Sequence, residues 1–399
     1  MTRSRRVLDA PAVVVLAGIA AAVHVGKLPP AVLALQQSMG ISLVQAGFLL
    51  SLVQIGGMTL GLVAGLLADS VGLRRVMLAG LTLLTLAGLT GAWARDAADL
   101  LALRAVEGVG LLMVGVPAPS LLRRTVAPAH LTRVLGIWGG YMPFGMALAM
   151  LTGPLVIGLL GWRSWWVVTA CGTAVMAVAV WRVVPADLPT RSQVATGAHG
   201  WRARLGATLH APGAWFGAFG FGVYALQWLA VIGFLPTVYD KLGWTGAVVA
   251  MATAVVTAVN VIGNVAAGRL LQRGVRARWL LWAGFAATGL GGSLAFGLTG
   301  SPAPVLSFGG ALLFSVVGGL VPGALFGMVP RLAPNDGAIA TTVGWIQQWS
   351  SAGQVSGPPL VAWVASRAGG WQLTWIVIVL CSVFGFWLAW QVERHQRAL

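Results

Sequence analysis

Gly65-Leu-Leu-Ala-Asp69-Ser-Val-Gly72-Leu-Arg74-Arg75 is a polar knot tied between two long apolar runs. A sharp turn favours glycine, and Gly65 and Gly72 are placed to supply it. Asp69 stands between them. Its carboxylate is expected to accept backbone amides at the start of the next helix, or to pair with Arg74 or Arg75 and clamp the helix ends together. Arginines in a short loop between apolar runs mark the cytoplasmic side of a membrane. The stretch therefore reads as a cytoplasmic turn between two membrane-spanning helices.

Composition agrees. Of the 399 residues, 58% are hydrophobic and 9% charged, too few polar groups to cover a water-exposed surface of that size. Apolar runs of about 20 residues recur, each long enough to cross roughly 30 Å of hydrocarbon as a helix. No alternating ten-residue pattern points to a barrel. Twelve spans are expected, at about 11–35, 43–68, 76–95, 99–121, 134–160, 164–184, 213–238, 246–271, 279–299, 304–328, 338–366 and 371–392. The basic start followed by Ala12 to Ala22 imitates a signal peptide, but the apolar run resumes beyond Lys27, so it is taken as the first span.

The net charge of +16 is a matter of position. Most of the basic residues fall in the tails and in alternate loops, among them Arg3, Arg5, Arg6, Arg123, Arg124, Arg191, Arg276 and Arg278, while Arg95, Arg163, Lys241 and Arg367 fall on the other side. Such asymmetry is topology rather than a nucleic-acid surface, and it puts both termini in the cytoplasm. The preference for arginine over lysine suggests a bacterial genome, and hence the bacterial cytoplasmic (inner) membrane. Cys171 and Cys381 each lie inside an apolar run, so no disulfide framework and no metal site is indicated.

Pro185 to Pro212 holds Asp187, Arg191, His199, Arg202, Arg204 and His210 and is the longest gap between apolar runs. It divides the chain into six-helix halves, 1–184 and 213–399, with a cytoplasmic linker at 185–212, part of it a surface helix around Trp201. A repeat supports the division, because Gly65 to Gly80 returns in weaker form as Gly268-Arg-Leu-Leu-Gln272-Arg273-Gly274-Val-Arg276-Ala-Arg278. The second copy has lost the acid, which leaves Asp69 as the expected clamp.

The first loop resembles the signature between the second and third helices of the major facilitator superfamily, with Gly65, Leu67, Ala68, Asp69, Gly72, Arg74 and Arg75 at its positions. Ser70 and Leu73 stand where that family is usually basic. Arg104-Ala-Val-Glu107-Gly108-Val-Gly110 resembles its fourth-helix motif, in which the arginine lines the transport path. Gly145 to Gly153-Pro154 and Gly158 resemble the fifth-helix glycine-proline motif, without the second of its terminal glycines, so antiport is not implied. Gly161-Trp162-Arg163-Ser164-Trp165-Trp166 resembles the turn that follows. The Gly26-Lys-Leu-Pro-Pro opening and Gly353-Gln-Val-Ser-Gly357-Pro358-Pro359 are similar to the cyanate and nitroimidazole porter branch. The resemblance implies an all-α polytopic membrane protein of twelve transmembrane helices in two pseudo-symmetric halves, a secondary transporter that works by alternating access.

Ionisable groups inside a span cost about 2.5–3.5 kcal/mol on the insertion scale and ask for a reason. Four stand out: His24 and Lys27 in the first span, Arg104 and Glu107 in the fourth, each pair spaced i, i+3 on one helix face. Counted at 1.5 Å per residue, His24 and Lys27 lie roughly 20 and 24 Å from the cytoplasmic side, Arg104 and Glu107 about 9 and 13 Å from the other, all in one layer. Lys27 and Arg104 against Glu107 leave one positive charge uncompensated, which favours an anion, and His24 or Glu107 is placed to carry a coupling proton. Gln54, Tyr141, Tyr224, Gln227, Trp228, Trp345, Gln348 and Trp349, together with Ser351, are expected to complete the substrate pocket. Asn260 and Asn264 are expected to bond helix to helix near the gate formed by Asp69, Arg74 and Arg75.

No phosphate-cradling G-x-x-x-x-G-K, H-E-x-x-H or Ser/His/Asp set occurs in a soluble segment, which argues against an enzyme and against any cofactor. The leading expectation is a monomeric, proton-coupled carrier of a small anionic solute. A proton-driven drug-efflux antiporter, suggested by the aromatic residues and Glu107, and a non-transporting sensor or scaffold are the alternatives.

Overall fold

The computed structural model describes residues 9–41, 43–187, 200–241, 243–244, 246–297 and 304–398. In the first half these form α1 (Ala10–Gly26), α2 (Val32–Met39), α3 (Leu43–Val71), α4 (Leu73–Gly91), α5 (Ala97–Gly115), α6 (Ala118–Thr125), α7 (Pro128–Gly139) and α8 (Tyr141–Val183). After α9 (Gly200–His210) the second half follows as α10 (Pro212–Lys241), α11 (Gly246–Gln272), α12 (Ala277–Gly297), α13 (Pro304–Gly318), α14 (Leu320–Leu332), α15 (Ile339–Ala368) and α16 (Trp375–Ala398).

Ten runs among the described residues are long and apolar enough to cross a membrane. One of them, Pro128–Val183, is two crossings, because Gly161 at φ +81° interrupts α8. Before that glycine the chain climbs beside α1, with Gly145 against Ile19 and Ala22 and Gly153 against Pro30. After it the chain descends beside α4, where Ala170 meets Gly88, Thr173 bonds Thr85 at 3.0 Å and Arg74 donates to the Trp181 carbonyl. The twelfth crossing is α15, 30 residues long. Its hydropathy is lowered by Gln347, Gln348, Ser350, Ser351 and Gln354, which a helix in hydrocarbon tolerates only when its polar side is turned inward.

The halves meet along two seams, α3 on α15 and α7 with α8 on α11. Both are built on glycine. A Cβ on Gly65 would lie 2.5 Å from the Ala340 carbonyl oxygen, and one on Gly268 would lie 2.8 Å from the Gly136 Cα. Helices without side chains at the crossing approach until their backbones touch. This corrects the expectation for Gly65, which lies inside α3 and serves the seam. The turn is made by Gly72 alone, at φ +124°.

Of the segment between the two sets of helices, Pro185 to Asp187 and α9 are described, and in α9 Arg202 stacks over Trp201 at 5.3 Å and Arg204 bonds Ser70 at 2.6 Å. Residues 188–199, with Arg191 and His199, lie outside the described residues, as do Arg3, Arg5 and Arg6.

Candidate functional site

Three groups of polar residues are set into this frame. The first closes the arginine-rich end. Asp69 Oδ2 accepts the Thr341 amide at 2.8 Å and the Thr341 hydroxyl at 2.7 Å. Thr341 lies in the first turn of α15, where a carboxylate meets free amides and the positive end of the helix dipole. Asp69 thus binds the opposite half, and the expected pairing with the next helix or with Arg74 and Arg75 is corrected. The close Gly65 crossing turns the last turn of α3 towards α15, while α4 departs beyond Gly72. Asp187 takes the expected role instead, accepting the amides of Arg74 at 3.2 Å and Arg75 at 3.1 Å, with Arg124 at 3.5 Å. Arg123 pairs with Asp336 at 2.7 Å across the halves. The repeat reproduces the scheme: Gln272 bonds the Ala129 carbonyl at 2.7 Å, and Glu393 lies 2.7 Å from Arg278. Gln272 therefore ties its seam without an acid. Replacing Asp187 by alanine should cost about 1 kcal/mol of stability, the usual worth of a helix cap, and D187N distinctly less, as read from thermal unfolding.

The second group is the intramembrane charge cluster, and it is buried. His24 and Lys27 are 0% exposed, Arg104 and Glu107 1%. Glu107 is the hub. Its Oε1 accepts from Lys27 Nζ and lies 3.0 Å from His24 Nδ1, and its Oε2 accepts from Arg104 Nη1 at 2.7 Å. Arg104 also donates to the carbonyls of His24 at 2.7 Å and Leu49 at 3.1 Å, tying α5 to α1 and α3. Lys27 sits 4.7 Å over the ring of Trp166, and Trp165 donates to the Lys27 carbonyl at 3.0 Å. Among the described residues, His24 Nε2 and Arg104 Nη2 have no hydrogen-bond partner.

The third group lines a cavity of about 50 Å³ between the halves: Tyr141 and Met142 of α8, Phe221, Tyr224 and Trp228 of α10, Asn260 of α11, Phe326 of α14, and Gln347, Ser350 and Gln354 of α15. A smaller cavity of about 10 Å³ shares Tyr141 and Gln347 and adds Gln54 and Ser351. Tyr141 stacks on Trp138 at 4.2 Å, and the Tyr224 hydroxyl accepts from Asn260 at 2.8 Å. Trp228 Nε1 has no partner among the described residues. Among the described residues, neither lining contains a charged side chain.

Five of the expected pocket residues, Gln54, Tyr141, Tyr224, Trp228 and Ser351, line these cavities. The others do not. Lys27 and Arg104 are taken up by Glu107. Gln227 turns towards α16 and accepts from Ser382 at 3.1 Å. Gln348 accepts the Leu62 amide at 3.0 Å in the α3 seam. Trp345 and Trp349 pack edge to face with Trp215 and Phe219 of α10. Asn260 joins α11 to α10 and α13, as expected of a helix-to-helix bond, and it also faces the cavity. Gln347, Ser350 and Gln354 were missed, although i, i+3, i+7 is a helical stripe readable from the sequence.

A family model described as "Major Facilitator Superfamily" matches residues 13–338 and 217–398. The chain belongs to the major facilitator superfamily. Within the superfamily it is 24% identical to the multidrug transporter MdfA of Yersinia pestis over 50% of this chain and 48% of that protein. It is 30% identical to the puromycin resistance protein pur8 of Streptomyces alboniger over 32% and 26%, and 23% identical to the chloramphenicol resistance protein CraA of Acinetobacter baumannii over 42% and 40%. The chain thus spans about half the length of these curated relatives or less. The structure of the proton:xylose symporter XylE superposes with a TM-score of 0.76 at 13% identity, covering 96% of this chain and 94% of the other. The fucose transporter FucP in its outward conformation gives 0.75 at 15%, covering 96% and 98%. The chain is therefore a multi-pass membrane protein with the superfamily fold of twelve helices in two halves. The relatives named do not specifically support the cyanate and nitroimidazole branch.

Proposed function

We propose that this chain is a proton-driven exporter of uncharged or cationic aromatic compounds in the bacterial cytoplasmic membrane. The observation that carries the reading is the separation of charge from cavity. The space between the halves is lined by Tyr141, Phe221, Tyr224, Trp228 and Phe326 with neutral hydrogen-bonding groups, while the four intramembrane ionisable residues bind one another in a buried cluster. Such rings offer stacking and cation–π contacts and give a small anion no counter-charge. The relatives named for multidrug, puromycin and chloramphenicol resistance support export. The anion reading needed Lys27 and Arg104 to meet the solute. Held as they are by Glu107, they are assigned instead to coupling.

Glu107 and His24 carry the proton in this scheme. Protonating Glu107 removes the one negative charge that holds Lys27 and Arg104 together, and their repulsion at low dielectric loosens α1 from α5. Proton occupancy thereby acts on the helices that frame the cavity. The arginine-rich face is the cytoplasmic one and both termini lie there. The halves 1–184 and 213–399 rock as units joined by the linker at 185–212, and Asp69–Thr341 and Arg123–Asp336 latch them on the cytoplasmic side. A monomer contains every part.

Expression in an efflux-deficient bacterial host tests the assignment. Wild type should raise resistance to aromatic antibiotics and dyes, and W228A should weaken export of these compounds about three- to tenfold, the worth of one aromatic contact. Resistance equal to that of the empty vector, together with pH-gradient-driven uptake of small carboxylates, would replace this reading by the anionic one.

A further inference from the structure

A larger pocket lies away from the transport path, at the arginine-rich end of the second half. It encloses about 570 Å³ beside the α11–α12 turn, α14 and the end of α16, and its charged lining is Arg276, Arg278, Arg331 and Glu393. Arg278 Nε lies 2.7 Å from Glu393 Oε2, and Arg276 Nη1 lies 3.9 Å from Oε1. Arg331 pairs with no carboxylate among the described residues. One carboxylate against three guanidiniums leaves two positive charges unanswered, in a concave space too large for a side chain to fill.

The depth of the pocket is fixed by its neighbours. Arg278 stacks 4.7 Å from the ring of Trp279 and 5.4 Å from that of Trp282, and Trp279 is half exposed. Tryptophan beside arginine at a helix end marks the headgroup layer of a bilayer, where basic pockets between helices meet lipid phosphates. One wall is Thr132 of the first half, facing Leu271 and Gly327 of the second. An occupant therefore touches both halves.

We propose that this pocket binds a phosphate-bearing anion through Arg276, Arg278 and Arg331, and that its occupancy favours the arrangement in which this seam is closed. Guanidinium groups recognise phosphate oxygens in pairs, and a ligand that prefers one arrangement shifts the population towards it. The Trp279 belt favours a lipid headgroup over a soluble phosphate as the source.

The test uses the full chain in nanodiscs of phosphatidylcholine, of phosphatidylcholine with about one third phosphatidylglycerol, and of phosphatidylcholine with millimolar pyrophosphate in the buffer. Binding to the folded state raises the unfolding temperature. Wild type should be stabilised by at least one of the two additions. The rise should fall by about half or more in R276Q/R331Q and persist in R276K/R331K, which keeps both charges and controls for folding. A rise with phosphatidylglycerol alone identifies a lipid headgroup, and one with pyrophosphate alone a soluble phosphate. No rise from either, or an undiminished rise in R276Q/R331Q, overturns the proposal.

Discussion

Replacing Glu107 by glutamine is expected to abolish proton-driven export and to destabilise the protein by about 3–5 kcal/mol, the cost of stranding buried charge. The carboxylate neutralises Lys27 and Arg104 at once, at sites 0–1% exposed. Both cations are buried from bulk solvent, so hydration does not replace the acid when it is lost. The double variant E107Q/K27M separates stability from coupling. Arg104 loses its carboxylate but keeps the carbonyls of His24 and Leu49, so removing the Lys27 charge together with the acid should restore part of the stability, while transport driven by a pH gradient stays lost. Thermal unfolding and counterflow in proteoliposomes read the two effects independently. Counterflow without a gradient should survive in the double variant, because no cavity-lining residue has changed. Gradient-driven transport by E107Q at the wild-type rate would remove Glu107 from the mechanism.

The second large effect is expected at the α3–α15 seam. A Cβ on Gly344 would lie 2.3 Å from the Gly61 carbonyl oxygen and 3.1 Å from the Gly65 Cα. Backbone cannot yield as a side chain end does, so G344V must push the two helices apart and strip Asp69 from Thr341. Overpacking of this kind costs about 1–3 kcal/mol. Here the cost falls only on the arrangement with the seam closed, so the equilibrium between the two facing states should move by about 5- to 150-fold. Spin labels at Arg75 and Arg273 should report longer distances, and export should fall in proportion. G158V is the control, since a Cβ at Gly158 meets nothing within 4 Å. An unchanged distance distribution in G344V would mean that the seam does not hold the halves as described.

Much of the frame could be read from the chain, because span length and the sidedness of arginine are written locally. The meeting of His24, Lys27, Arg104 and Glu107 was also legible, since rise per residue fixes depth and i, i+3 spacing fixes a shared face. What a single sequence does not carry is azimuth relative to other helices. Tyr224 and Gln227 are three residues apart on α10, yet one faces the cavity and the other bonds Ser382. Trp345 and Trp349 drew attention as aromatic residues and pack against α10, while the interleaved Gln347, Ser350 and Gln354 face the cavity. Asp69 found its partner at Thr341, far along the chain. That pairing follows from a glycine crossing that no local pattern announces.

The most direct test of two separate sites, one for the proton and one for the solute, is proton release by purified protein when an aromatic substrate is added in weakly buffered detergent solution. Wild type should release protons on binding, and E107Q/K27M should bind the same compound within about threefold of the wild-type affinity, less than one aromatic contact is worth, while releasing distinctly fewer. Loss of substrate affinity in E107Q/K27M, or proton release from it equal to wild type, would contradict the account.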